Sequence, residues 1–97
     1  MPQLIFHPDV ALEVKASYSW YQLQAEGLGD DFMAELESAY TAIMELPGTW
    51  PTFDLDCRRF VLSRFPFSVI YHADDDVVFV VAVMHHSKRP GYWADRS

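Results

Sequence analysis

Most of the side chains that could bind an anion lie in the second half of the chain. Residues 57–97 carry six basic residues against four acidic ones, whereas residues 1–56 carry one, Lys15, against ten. The net charge of −7 argues against a surface built mainly to bind nucleic acid phosphates. An anionic partner is therefore expected to meet the second half, around Arg58, Arg59, Arg64, Lys88, Arg89 and Arg96.

Three of these basic positions fall at the ends of predicted strands. Side chains alternate faces along a strand, which puts Arg59 on the less apolar face of its strand. Arg64 follows the end of that strand, and Lys88-Arg89 follow the end of the last strand, so these residues are expected to converge on one basic patch. Ordinary solvated charge at strand ends explains them about as well.

Two adjacent histidines, His85-His86, suggest acid–base chemistry more than metal binding. Neighbouring strand residues face opposite ways, and no Cys, Asp or Glu stands at a supporting ligand spacing, so no metal site is predicted. An imidazole titrates near neutral pH and is a candidate general acid or base. A strand-end histidine bonded to backbone is the simpler interpretation. No cofactor motif is present.

Two aromatic residues, Tyr92 and Trp93, follow Pro90-Gly91 near the C-terminus. They would stack on a base or fill a partner's pocket if exposed, and they would close the lower edge of the sheet if buried. The single cysteine, Cys57, excludes an internal disulfide and suits a reducing compartment. Without a signal peptide or membrane-spanning run, the chain is expected to be cytoplasmic and not to meet a membrane.

The elements that must position these residues can be read from periodicity. Residues 3–6 predict a strand, and His7-Pro8-Asp9 predict a helix start. Apolar residues then recur at helical spacing to about residue 26, and again from Asp30-Asp31 to Pro47-Gly48. From residue 58 the period changes to two, which predicts strands over 58–63, 67–73 and 77–85.

The predicted fold is a single α+β domain over residues 1–97, with the element order βααβββ. Residues 77–84 are apolar on both faces, which places that strand in the middle of the sheet. We therefore expect a four-stranded, mostly antiparallel sheet of order 2-3-4-1, with a helical hairpin on one face. The other face and the C-terminal segment would carry the site.

Segments along nearly the whole chain resemble the RelE/ParE toxin superfamily. The first half supplies Trp20-Tyr21, Gly27-Leu28-Gly29-x-x-Phe32 and Leu46-Pro47. The second half supplies Arg58-Arg59-Phe60-x-Leu62-x-Arg64-Phe65-Pro66-Phe67-x-x-x-Tyr71 and Val83-x-His85-x-x-Lys88-Arg89-Pro90-x-Tyr92-Trp93, which look like segments of ParE-like plasmid-stabilisation proteins.

The resemblance implies a bacterial toxin of a type II toxin–antitoxin pair. Its partner would be a cognate antitoxin whose flexible segment folds along the toxin, either as an added strand or as a helix in a groove, in a hetero-oligomer. Superfamily members divide by target: ParE-like toxins poison DNA gyrase, and RelE-like toxins cleave ribosome-bound mRNA.

The Arg-Phe-Pro segment and the acidic net charge favour the ParE branch, with growth inhibited by binding to gyrase. In that branch the resemblance implies a target-binding region formed by Lys88, Arg89, Tyr92, Trp93 and Arg96. The RelE alternative is a metal-independent endoribonuclease whose catalytic residues would be Arg59, Arg64, His85 and Tyr92. An inactive module that keeps the fold and the antitoxin site is a third alternative.

Overall fold

The computed structural model describes residues 2–54, 56–89 and 91–96, so that Pro90 of the C-terminal motif lies outside the described residues. Two helices pack on one face of a mixed five-stranded sheet of order β1-β5-β4-β3-β2. The elements in chain order are β1 (Gln3–Phe6), α1 (Pro8–Gln24), α2 (Leu28–Glu45), β2 (Thr52–Asp54), β3 (Cys57–Val61), β4 (Phe67–Ala73), β5 (Val77–His85) and a final 3₁₀ turn (Ala94–Arg96).

The start of α1 follows from its local sequence. The ring nitrogen Nδ1 of His7 accepts a hydrogen bond from the backbone N–H of Asp9 at 3.1 Å, which satisfies a helix N–H that has no partner within the helix. Pro8 occupies the first turn, where its missing N–H matters least. The predicted helix start is confirmed.

Two glycines make the helical hairpin. Gly27 has φ of +84°, a left-handed conformation that L side chains rarely adopt, and it ends the connection between the helices. Gly29 lies in the first turn of α2, where a Cβ atom would come within 2.7 Å of the Tyr18 carbonyl oxygen. The close approach of α2 to α1 therefore requires a residue without a side chain at position 29.

The main core lies between the helices and the sheet. It takes α2 residues at helical spacing and alternate residues of β4 and β5, as the sequence periods predict. Aromatic rings at its centre lie with centroids 4.9–6.2 Å apart, the range in which edge contacts are favourable. These rings belong to Tyr21, Phe32, Phe65 and Phe67.

The prediction of a four-stranded sheet is wrong. The four predicted strands lie in the predicted order, with β1 parallel to β5 and the others antiparallel, but β2 adds a fifth strand beside β3. Only three residues long, β2 pairs irregularly, through Thr52 with Arg58 and Asp54 with Cys57. Such a short run carries no readable alternation, so its pairing depends on the neighbouring strand.

As predicted, β5 has a neighbour on each side, β1 and β4, although β4 is the middle strand of the five. A bulge adjusts the two apolar faces of β5. Ile70 of β4 pairs with Ala82, whereas the next residue, Tyr71, pairs with Val80, which leaves Val81 as an extra residue. Val80 and Val83 belong to the core under the helices. Val81 and Ala82 belong to a second cluster on the opposite face, together with Cys57, Ile70, Met84 and Trp93.

Within the described ranges, neither helix combines the length and the apolar content needed to cross a membrane.

Candidate functional site

A groove lies between α1 and the C-terminal end of β5, and we call it the α1 groove. Two adjoining pockets of about 290 Å³ and 390 Å³ form it. Both are lined by Ala16, Ser17, Phe67, His85 and Lys88. Trp20 and Tyr21 border one end, and Glu13, Tyr92 and Arg96 border the other.

Helix α1 carries two apolar stripes, one of which contributes Ala16 and Trp20 to the α1 groove. The stripe at Val10, Val14, Tyr18 and Tyr21 turns towards the sheet and α2, and Val10 and Tyr21 are buried. A second stripe at spacings of four, four and three is formed by Leu12, Ala16, Trp20 and Leu23. Leu12, Trp20 and Leu23 are 67%, 56% and 84% exposed, an unusual accumulation of large apolar side chains on one helix face.

The second stripe is not among the candidate site residues predicted from the sequence. Its spacing of four, four and three is the same as that of the stripe that packs on the sheet and α2. That double pattern is the signal that could have revealed an exposed binding face.

Residues 91–96, which we call the C-terminal segment, cross the helix-free face of the sheet. Trp93 is fully buried there against β4 and β5 residues of the second cluster. Its indole N–H is buried and has no hydrogen-bond partner within the described part of the chain. Of the two interpretations of Tyr92 and Trp93, burial against the sheet is the one that holds for Trp93.

Tyr92 and Arg96 connect the C-terminal segment to α1 through Glu13. The Tyr92 hydroxyl donates to Glu13 Oε2 at 2.5 Å, and an Arg96 guanidinium nitrogen lies 3.0 Å from the same oxygen. Burial, together with the bonded Glu13 carboxylate, raises the pKa of Tyr92 above its usual range. Tyr92 is therefore protonated at physiological pH, and its hydroxyl donates to the Glu13 carboxylate.

The two histidines face different surroundings. His85 lines the α1 groove with its ring edge on Phe67, and its Nδ1 accepts from the backbone N–H of Ser87 at 3.0 Å. His86 Nε2 lies 2.8 Å from the Ser68 hydroxyl, outside the groove. Desolvation, followed by the nearby Arg59 charge, lowers the pKa of His86.

The structure does not bring the two arginines into one patch. Arg59 Nε donates to Ser68 Oγ at 2.9 Å, so Arg59 lies with His86 on the helix-free face of the sheet. Arg64 lies on the helix side, where a guanidinium nitrogen is 3.5 Å from Asp31 Oδ2 of α2. Arg59 lies within β3, whose side chains alternate between the two faces of the sheet. After β3 the chain turns towards α2, which carries Arg64 to the helix side.

Lys88 and Arg89 are the exposed cations of the region. Both follow β5 directly and are exposed, and neither makes an ion pair within residues 2–54, 56–89 and 91–96. Lys88 borders the α1 groove, so positive charge stands beside an apolar surface. Such a combination suits a macromolecular partner with acidic and apolar groups.

The predicted site residues therefore form two groups. His85, Lys88, Tyr92 and Arg96 line one end of the α1 groove, and Arg89 is exposed next to it. Arg59, Arg64 and Trp93 lie elsewhere. Over the described residues, no three His, Cys, Asp or Glu side chains are grouped to hold a metal ion.

Comparison with known proteins agrees with this architecture. The family model described as "ParE toxin of type II toxin-antitoxin system, parDE" matches residues 4–90. A solved structure described as "Chromosomal ParDE TA system from P. aeruginosa" is similar with a TM-score of 0.78 and 15% identity, over 88% of this chain and 96% of that one. At that identity the structural likeness speaks for the fold alone. No curated protein matches the sequence. Because the family match spans most of the chain, the protein belongs to the ParE toxin family of type II toxin–antitoxin systems.

Proposed function

We propose that this protein inhibits growth by binding DNA gyrase, without bond-breaking chemistry of its own. The observation that supports this most directly is the dispersal of the side chains that RNA cleavage would need. Arg59 and Arg64 point to opposite sides of the sheet, and the Tyr92 hydroxyl is engaged by Glu13. A phosphoryl-transfer centre needs its cations and proton-transfer groups within bonding reach of one phosphate.

The target-binding region in this proposal is the stretch from Lys88 to Arg96. Its contact residues are Lys88 and Arg89, which are exposed. The remaining three residues assigned to it, Tyr92, Trp93 and Arg96, hold the region against the sheet and α1. A rigid, positively charged projection suits binding to a protein surface because little flexibility is lost on association.

The test compares two charge deletions in a supercoiling assay with purified gyrase. The double variant Lys88→Ala/Arg89→Ala should raise the concentration for half-inhibition by about tenfold or more, equivalent to about 1.4 kcal/mol of binding free energy. Lys15→Ala is the matched control, since it removes an exposed cation outside the region. It should change that concentration by less than about twofold.

Cleavage of ribosome-bound mRNA is measured in parallel. Cleavage without gyrase inhibition would overturn the proposal in favour of the endoribonuclease alternative. Normal growth on induction without an antitoxin would favour the inactive module.

The α1 groove is the proposed binding site for the antitoxin. The exposed stripe of α1, which contributes Ala16 and Trp20 to the groove, has the spacing at which a partner helix packs against a helix. An amphipathic antitoxin segment laid there would end beside Lys88. The resulting complex is a toxin–antitoxin hetero-oligomer.

Trp20→Ala tests this site by titration against the cognate antitoxin. Truncation of a central aromatic anchor should weaken binding at least about thirtyfold, which corresponds to about 2 kcal/mol. Leu46→Ala is the control, because Leu46 is a comparably exposed apolar residue at the end of α2. Equal affinities of the two variants would place the antitoxin elsewhere.

A further inference from the structure

Glu13 is the one side chain in the described part of the chain that bonds α1 simultaneously to β5 and to the C-terminal segment. Its Oε1 accepts from the Val83 backbone N–H at 3.1 Å. Its Oε2 accepts from the Tyr92 hydroxyl and pairs with the Arg96 guanidinium. The Glu13 side chain is only 18% exposed, so these bonds are better shielded from solvent than surface ion pairs.

This arrangement lies where β1 no longer covers the edge of β5. The last β1 pair is Phe6 with Val80, and the His7 N–H bonds the Val80 carbonyl oxygen. Beyond that point Glu13 accepts from the Val83 N–H, and Arg96 donates to the Val81 carbonyl oxygen at 3.4 Å. The paired side chains of Glu13 and Arg96 thus bond edge backbone groups of β5 that an additional strand could otherwise pair with.

The other attachment of the C-terminal segment is less complete. Trp93 buries its ring on the helix-free face, but its indole N–H has no partner among the described residues. A buried donor without a partner opposes the apolar gain from burial. The position of the segment therefore depends on the bonds at Glu13 as well as on the burial of the Trp93 ring.

From these contacts we infer that Glu13 is a positioning residue for target binding. By holding Tyr92 and Arg96, it fixes the C-terminal segment and so the direction in which Lys88 and Arg89 project. Glu13 lies in the half of the chain with net negative charge and acts on the target only through the positively charged half. The inference rests on the proposed function for its target and on geometry for its positioning role.

The test uses Glu13→Gln, which keeps the size and removes the charge, with Tyr92→Phe as a second variant of the same contact. Glu37→Gln is the control, an exposed acid on α2. Hydrogen exchange is followed at the Tyr92, Ala94 and Arg96 amides, which bond within the segment and its approach. Exchange there should rise about tenfold or more in Glu13→Gln and less in Tyr92→Phe, while amides of β4 stay protected.

Gyrase inhibition is measured on the same proteins. Glu13→Gln should raise the concentration for half-inhibition about tenfold. In the Lys88→Ala/Arg89→Ala background the same change should have little further effect, because the contacts that Glu13 positions are already absent. A loss of inhibition through general destabilisation would instead add to the loss caused by the double variant.

Each outcome decides one part. Unchanged exchange at the segment amides in both Glu13→Gln and Tyr92→Phe would overturn the positioning role whatever the target. Faster exchange with full inhibition would also overturn it, and would leave the gyrase proposal intact if the Lys88→Ala/Arg89→Ala variant is inactive. If the native protein does not inhibit gyrase, the proposed function and the target-binding role of Glu13 fail together, and exchange still decides whether Glu13 holds the segment.

Discussion

Replacing Trp93 by smaller side chains separates the two effects of its burial. The side chain is fully buried against the second cluster, and its indole N–H lacks a partner within the described residues. Trp93→Ala removes the whole ring and should lower the free energy of unfolding by about 3–5 kcal/mol, the range for large core truncations. Trp93→Phe keeps an aromatic ring and removes the N–H.

The expected effect of Trp93→Phe is small because two terms oppose each other. Losing part of the ring should destabilise by about 1–2 kcal/mol, by analogy with partial core truncations. Removing a buried donor without a partner should return about 1–3 kcal/mol. The net change in the free energy of unfolding should therefore lie between a loss of about 1 kcal/mol and a gain of about 2 kcal/mol.

Urea unfolding followed by far-ultraviolet circular dichroism measures both variants, since Trp20 and Trp50 complicate fluorescence. The slope against urea should be unchanged, so that midpoints report stability. Destabilisation of about 3 kcal/mol or more by Trp93→Phe would refute the unpaired-donor reasoning. A loss below about 1 kcal/mol in Trp93→Ala would show that the C-terminal segment is not docked in solution.

Three further predictions concern the basic residues outside the α1 groove. Arg64→Ala should change the free energy of unfolding by less than about 0.5 kcal/mol, because its ion pair with Asp31 is solvent-exposed. Arg59→Ala should cost about 1 kcal/mol, since the buried Ser68 hydroxyl loses one of its two side-chain partners. Urea titration of both variants checks the ranking. The pKa of His86 is lowered from 6.5 in the folded protein, so below pH 6.5 the unfolded chain binds protons more readily at this histidine than the folded protein does. The stability that neutral His86 contributes is fully present above pH 6.5 and should decline as the pH falls from 6.5 through the lowered pKa. If His86→Gln leaves the pH dependence of the free energy of unfolding unchanged, this prediction is wrong.

Local pattern was sufficient for most of the elements. The bounds of β1, β4 and β5 follow from residues that alternate or run apolar between turn signals, and these strands are where the sequence predicts them. Gly27 and the acids Asp30-Asp31 locate the helical hairpin through local conformational preference and helix-end electrostatics. The motifs shared with the ParE family are likewise a property of the sequence alone.

Contacts between residues far apart in the chain required the tertiary structure. Glu13 meets Val83 and Tyr92 across 70 and 79 positions, and no local pattern encodes such a contact. The same holds for β2, whose three residues become a strand only beside β3.

Composition could not decide which surface each residue would face. The two apolar stripes of α1 have the same spacing, and only packing against the sheet decides that Tyr21 is buried while Trp20 is exposed. Arg59 and Arg64 look equivalent in sequence, but the turn after β3 sends them to opposite sides. The sequence alone thus determined the helices and the strands other than β2, the division into an acidic first half and a basic second half, and the family. These depend on local preference and residue type. The tertiary structure decided the α1 groove and the fixed C-terminal segment, because both depend on which distant surfaces come together.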